Sequence, residues 1–446
     1  MARIALISLG CPKNLVDSEV MLGLLQEAGH EIVEDAEAAD VVIVNTCAFI
    51  EPAVEEAVEA LLDTTELKSR ADGGPKVICA GCLTERYGGD LQAELPEVDA
   101  FVGPGSVSEI ADIVARCVHE GQLLVQAAPP WLYSAETPRV RTGREWLAYV
   151  KVADGCSHRC AYCMIPSIRG PFRSRAADDI LREVDRLIAE QVREICVIAQ
   201  DTSMWGSDLD GDWTLALLLR SLELGDWDGW VRLQYLHPDG MTDELLEAVA
   251  AVPQVLPYFD IPLQHAAQSV LRSMGRRGDP DSYLDMISRI RSTVPGAAIR
   301  TTFIVGYPGE SEDDFNTLLE FVQAARLDRL SAFRYWDEPG TRAAELPDQV
   351  PGNEALDRLE ALMLTQAEIS LEINQQFVGT TMRVLLERED EETGEMLGRT
   401  FRDAPDVDGD VAIEGEAGAP GEFVEVRVTE ADVHDLRGVP ARPDLA

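Results

Sequence analysis

Short runs of β-branched and aliphatic residues alternate with longer stretches whose apolar positions recur every three or four residues. The pattern covers most of this 446-residue chain. In the first 125 residues the short runs are RIALISL (3–9), DVVIVN (40–45), KVICAG (76–81) and VDAFVG (98–103). Between them lie VDSEVMLGLLQEAG (16–29), PAVEEAVEALLD (52–63) and VSEIADIVARCVHE (107–120). The short runs read as buried strands and the periodic stretches as amphipathic helices. Strand–helix alternation predicts a parallel sheet with helices on its faces, so the fold class is α/β. Residues 126–145 carry Pro and no period, and read as a linker.

The alternation resumes over 146–375 with LAYVKVA (147–153), EICVIA (194–199), VRLQYL (231–236), PYFDIP (257–262), AIRTTFIVG (298–306) and LSAFRYW (330–336). Six β/α units predict either a partial (β/α)6 barrel or an open parallel sheet. In both, ligands bind at the carboxyl ends of the strands. One long helix is expected over 353–376. From 376 to 442 the pattern changes to MRVLLERE (382–389), MLGRTF (396–401), DVAI (410–413) and EFVEVRVTE (422–430), separated by turn residues. That segment reads as a small all-β domain.

Charge narrows the partners. The net charge is −42, from 38 basic and 80 acidic residues. Such a surface repels nucleic acid and anionic membrane and attracts basic partners, or serves solubility alone. The β-domain carries 7 arginines against 18 acids and few aromatics, which disfavours direct RNA binding. No apolar run has the length of a membrane span. Without an export signal a cytoplasmic location is expected. There, nine cysteines point to metal or redox roles rather than disulfides.

Cys156, Cys160 and Cys163 form a C-x3-C-x2-C set directly after a strand. Thiolates suit iron–sulfur clusters and zinc. A structural zinc wants four ligands, and His158 inside the first gap is the available fourth. Three thiolates on a four-iron cluster instead leave one iron open, able to chelate S-adenosylmethionine. A second set is predicted from topology. Cys11, Cys47 and Cys82 each follow an N-terminal strand, and consecutive strand ends of a parallel sheet share one rim. The alternative is three unrelated core cysteines. Cys79, Cys117 and Cys196 lie within elements and read as core.

The loop DGCSHRCAYCMIPSIRG resembles the radical S-adenosylmethionine superfamily. Together with SLGCPKNLVDSE, VNTCAFI and GCLTERY it resembles the methylthiotransferase branch over 1–442. That resemblance implies two [4Fe–4S] clusters, an auxiliary one on Cys11, Cys47 and Cys82 and a radical one on Cys156, Cys160 and Cys163. It also implies a C-terminal TRAM-like β-domain serving substrate recognition. Tyr162, Gln200, Asp201 and Gly306 are the expected contacts to S-adenosylmethionine. Arg173, Arg175 and His265 are expected to touch cofactor or substrate. GCPKN, DIPLQHAAQ and AQDTSMWG resemble the subfamily that methylthiolates an aspartate of small-subunit ribosomal protein twelve, with Trp205 standing where that subfamily usually has Tyr. The tRNA-modifying subfamily tends to have GCQMN and a QSGS version. The implied product is 3-methylthioaspartate, and the implied electron donor is a flavodoxin or ferredoxin. A tRNA adenosine methylthiotransferase and a non-catalytic metal-binding protein are the rival readings.

Overall fold

The computed structural model describes residues 1–69, 74–117, 120, 122–126 and 131–441. The N-terminal domain is a six-stranded sheet in which every pairing is parallel. Three of its strands match the apolar runs closely: Arg3–Ser8, Val41–Thr46 and Lys76–Gly81 lie side by side. Val41–Thr46 is buried along its whole length, as a central strand covered on both faces must be. The edge strands Glu31–Ile32 and Leu123–Val125 and the helix Cys82–Glu94 escaped the periodicity reading. Two- and three-residue strands carry no period, and Cys82–Glu94 holds two glycines and a weak apolar face. The stretch read as helix 107–120 is 3-10 over Pro104–Glu109 and α over Ile110–Cys117; residues 118–119 lie outside the described set.

The segment expected to be a linker is a packed strap instead. Residues 127–130 are outside the described set, but from 131 onward the chain is anchored by buried side chains. Tyr133 is buried beneath the Arg175 guanidinium. Arg139 pairs with Glu19 at 2.6 Å and with Glu183 at 2.9 Å, so one arginine ties the first helix of the N-terminal domain to a helix of the central domain. Nothing in local periodicity reports such a tie, because its partners are 120 and 44 residues away.

Central strands run parallel in two three-stranded sheets, Leu147–Lys151, Glu194–Ile198 and Trp230–Leu233, then Tyr258–Asp260, Ala298–Val305 and Arg329–Arg334. Between them the ladder reduces to a bridge at Val231 and Val255 and the bond from Leu236 N–H to Asp260 O. The six units thus make a partial barrel broken once. Alternation sorts its faces. Val150, Ile195, Val197 and Leu233 pack on the outer helices, whereas Tyr149, Cys196 and Ile198 join the core of the N-terminal domain. The long helix spans Gly352–Gln375.

The C-terminal domain is a closed five-stranded barrel, with a fifth strand at Leu436–Pro440 that the sequence pattern missed. It docks on the amino ends of the central strands. Trp230, Tyr258 and Ala298, each the first residue of its strand, pack with Leu385 and Ala404. Glu194 lies buried between Arg232 Nε and Arg399 Nη2, both at 2.6 Å. Burial pushes its carboxyl up, but Arg399 and Arg232 outweigh that and hold it below the usual glutamate range. A lowered folded pKa stabilises above the unfolded value, and the gain is lost as pH falls through the folded one. Glu194→Gln is therefore expected to destabilise by about 3 kcal/mol at neutral pH, because it leaves two buried guanidinia under-compensated. The penalty shrinks in acid below the ordinary glutamate pKa of about 4.3. Urea denaturation across pH checks it, and a constant penalty down to the acid end would contradict the pairing.

Candidate functional site

The first three-cysteine site is built by sheet order. Cys11 caps the helix Pro12–Glu27, Cys82 opens the helix Cys82–Glu94, and Cys47 follows the strand between them. Helix N-termini favour anionic sulfur. Gly10 has φ +85°, and a Cβ there would lie 2.6 Å from Cys47 Cβ and 3.3 Å from its Sγ, so only glycine fits this approach. Asn14 wedges the rim. Its amide donates to Leu9 O and Thr46 O, and its Oδ1 lies 3.7 Å from Cys82 Sγ. Burial pushes the Cys47 thiol up to about 12, and neighbouring Cys11 and Cys82 add to the effect. Three thiols gathered at one rim are a donor set for a cationic cluster, which deprotonates them on binding.

The second site is the loop between the two-stranded pair Ala153–Asp154 and Arg173–Ser174. Cys156 N–H donates to Gly170 O, and Cys163 Sγ accepts from Ile165 N–H at 3.4 Å. Burial lifts Cys156 to about 11 and Cys163 to about 12. Arg276 Nη1 lies 3.9 Å from Cys160 Sγ while Nη2 donates to Pro262 O. Tyr162 packs with Ala161, Met274 and Tyr307 beside Cys160 and Arg276.

His158 is turned away from any ligand role with these cysteines. Its Nε2 meets Asp201 Oδ2 at 2.6 Å and its ring stacks on His237 at 4.1 Å between centroids. Asp201 also accepts from Ser203 N–H. Burial pushes its carboxyl up, but the His158 and Ser203 bonds hold it below the carboxylate range. Burial drives His237 down to about 3, so it is neutral at pH 7. The three ligand atoms lie within 4.8 Å of one another. As bonded, they fix the first gap of the cysteine loop.

Arg169, six residues past Cys163, joins the two sites. Its Nη2 donates to Asn14 Oδ1 and lies 3.4 Å from Cys82 Sγ, and its Nη1 meets Asp17 at 2.6 Å and Asp154 at 3.5 Å. Lys151 completes a buried four-charge set with the same aspartates, and Asp154 accepts from Gln200 Nε2 at 2.9 Å. Gln200 Oε1 has no hydrogen-bond partner among the described residues. Asn14, Asp17, Lys151, Asp154, Arg169, His237 and Arg276 were missed as site residues by sequence reasoning. Asn14, Asp17, Asp154 and Arg169 stood inside the quoted motifs, so position in the motif was the one signal pointing to them.

Two other expected contacts are engaged elsewhere. Arg175 is buried with its donors taken by Asp179, Glu183 and Lys151 O, so it clamps the strap rather than facing a ligand. His265 is fully buried, its Nδ1 accepting from Ala267 N–H, and burial lowers it to about 3. It holds a turn and has no surface to offer substrate. Gly306 has φ +72°, and a Cβ there would meet Ala355 Cβ at 2.4 Å, so the glycine admits the long helix. Arg173 contributes its backbone to the hairpin beside the loop.

A partial parallel barrel with a C-x3-C-x2-C loop at the carboxyl ends defines a radical S-adenosylmethionine enzyme. Residues 150–322 match the Radical SAM superfamily, 3–103 the family described as "Uncharacterized protein family UPF0004", and 378–440 the TRAM domain. The fold is shared with the radical S-adenosylmethionine methyltransferase TsrM from Kitasatospora setae. That likeness has a TM-score of 0.55 at 14% identity and covers 87% of this chain and 79% of that one. The chain belongs to the RimO family of methylthiotransferases. It is 44% identical over 438 residues to the ribosomal protein uS12 methylthiotransferase RimO of Trichlorobacter lovleyi, covering 97% of each chain. It is 45% identical over 436 residues to that of Heliobacterium modesticaldum, covering 98% of this chain and 94% of that one. It is thus a radical S-adenosylmethionine methylthiotransferase that uses [4Fe–4S] clusters and S-adenosylmethionine, and both three-cysteine sites fit such clusters. Among the described residues no helix is long and apolar enough to cross a membrane.

Proposed function

We propose that this chain adds a methylthio group to the β-carbon of an aspartate of ribosomal protein uS12, giving 3-methylthioaspartate. What carries the reading is the pair of three-cysteine sites joined through Arg169 in a chain of the RimO family. When bound, the two clusters and S-adenosylmethionine supply hydrogen abstraction from an unactivated carbon, the sulfur and the methyl group. The protein's own residues bind and orient. Cys156, Cys160 and Cys163 hold the radical cluster, in a loop pinned by the His158–Asp201 bond. Cys11, Cys47 and Cys82 hold the auxiliary one. Tyr162, Gln200 and Arg276 border the cofactor. The N-terminal domain packs across the inner face of the barrel through Tyr149, Cys196 and Ile198.

The acidic surface favours a basic ribosomal protein over polyanionic tRNA, because like charges at an interface cost affinity. A flavodoxin or ferredoxin supplies the electrons, and the chain works in the cytoplasm. The reconstituted enzyme is expected to add one methylthio mass to uS12 and none to tRNA. Binding of uS12 is expected to weaken several-fold between 50 mM and 300 mM salt as screening grows. Mass spectrometry and titration at two ionic strengths check both, and modification of tRNA alone would overturn the reading.

A further inference from the structure

Only four of the 38 basic residues are lysine, and two of these, Lys13 and Lys151, are buried. Lys151 is paired with Asp17 and Asp154. Lys13 is different. It is 7% exposed, and its ammonium stands 3.1 Å above the centre of the Tyr235 ring. Among the described residues it has no carboxylate partner. The acid nearest in influence is Asp260, whose oxygens already accept from Tyr235 N–H and Arg300. The sulfurs of Cys11 and Cys47 are its other electrostatic neighbours.

A buried ammonium with unused donors is costly unless an anion arrives. The face of Tyr235 offsets part of that cost, and Tyr235 is itself held in a rare conformation, φ +61°, by Asp260 and by the bond from Thr202 N–H to its carbonyl. Strain kept in place by surrounding bonds is common at ligand sites. The other cations nearby are engaged. Arg169 and Lys151 serve Asp17 and Asp154, Arg300 serves Asp260 and Asp408, and Arg276 lies against Cys160. A substrate aspartate brought beside the cysteine sites also needs a cation for its carboxylate.

We propose that Lys13 is the anchor for the side-chain carboxylate of the substrate aspartate, holding its β-carbon between the two cysteine sites. The proposal rests on the aspartate reading above and names the residue that selects it. A charge-assisted bond made in a desolvated site is worth roughly tenfold or more in affinity.

The test measures binding of the cluster-loaded enzyme to uS12 carrying either its target aspartate or asparagine there. The wild type is expected to prefer aspartate by about tenfold or more. Lys13→Met is expected to bind both forms alike, and Lys13→Arg to recover part of the preference. Iron content and the cluster absorption spectrum, measured on each variant, show that it is loaded and folded. If Lys13→Met keeps the aspartate preference, the proposal falls while the aspartate chemistry stands. The same holds if the variant shifts the auxiliary cluster's midpoint potential and leaves the preference intact. If the wild type neither binds nor modifies uS12, the aspartate reading fails and this proposal with it.

Discussion

Alanine at Cys11, Cys47 or Cys82 is expected to abolish methylthio transfer while S-adenosylmethionine is still cleaved to 5′-deoxyadenosine under reducing conditions. Alanine at Cys156, Cys160 or Cys163 is expected to abolish both. The asymmetry follows from the geometry. The two cysteine sets belong to different domains, each with its own backbone scaffold, so losing one cluster leaves the other's ligands in place. Bound iron is expected to fall from about eight to about four per chain in either set. The thiol environment explains why a single alanine suffices. Burial already pushes Cys47 and Cys163 up to about 12, so neither ionises readily unless a complete cluster binds. Iron and sulfide analysis, with chromatography of the nucleoside product, checks each variant. Sulfur insertion surviving at Cys82→Ala would remove the auxiliary site from the mechanism.

Arg169→Met is expected to cost about 3–5 kcal/mol of stability, because it removes one cation from a buried set and leaves Asp17 and Asp154 sharing Lys151 alone. It also removes the donor beside Cys82, which opposes the burial that raises that thiol. The auxiliary cluster is therefore expected to load more weakly than the radical one. Arg169→Lys keeps a charge but loses the planar fork that reaches Asn14, Asp17 and Cys82 together. It should recover less than half the stability. Urea denaturation of the apoprotein measures the first effect, and iron per chain after reconstitution measures the second. A variant that loads both clusters like the wild type would contradict a bridging role.

How much of this was readable in the sequence differs by scale. The C-x3-C-x2-C spacing is local, so its loop needed no tertiary information. Cys11, Cys47 and Cys82 lie far apart along the chain, yet their position after successive strands was enough to expect one rim, since a parallel sheet aligns its carboxyl ends. The same reasoning misplaced Arg175 and His265. Sequence proximity to the loop or to a strand end does not say where a side chain points, and Asp179, Glu183 and Ala267 captured them. The strap over 131–145 was read as a linker because proline and missing periodicity report the absence of regular structure, not the absence of packing.

The sequence by itself determined the three-domain order, the α/β alternation, the cysteine loop and the acidic surface. Each depends on residue type and spacing within one segment, which local sterics and solvation suffice to interpret. Only the tertiary structure decided what lies between the cysteine sites. Arg169 reaches across from the radical loop to Cys82, His158 turns to Asp201, and Lys13 stands over Tyr235 without a counter-ion among the described residues. These are contacts between segments tens to hundreds of residues apart. Their geometry is set by domain packing, where burial makes each charge costly unless it finds a partner.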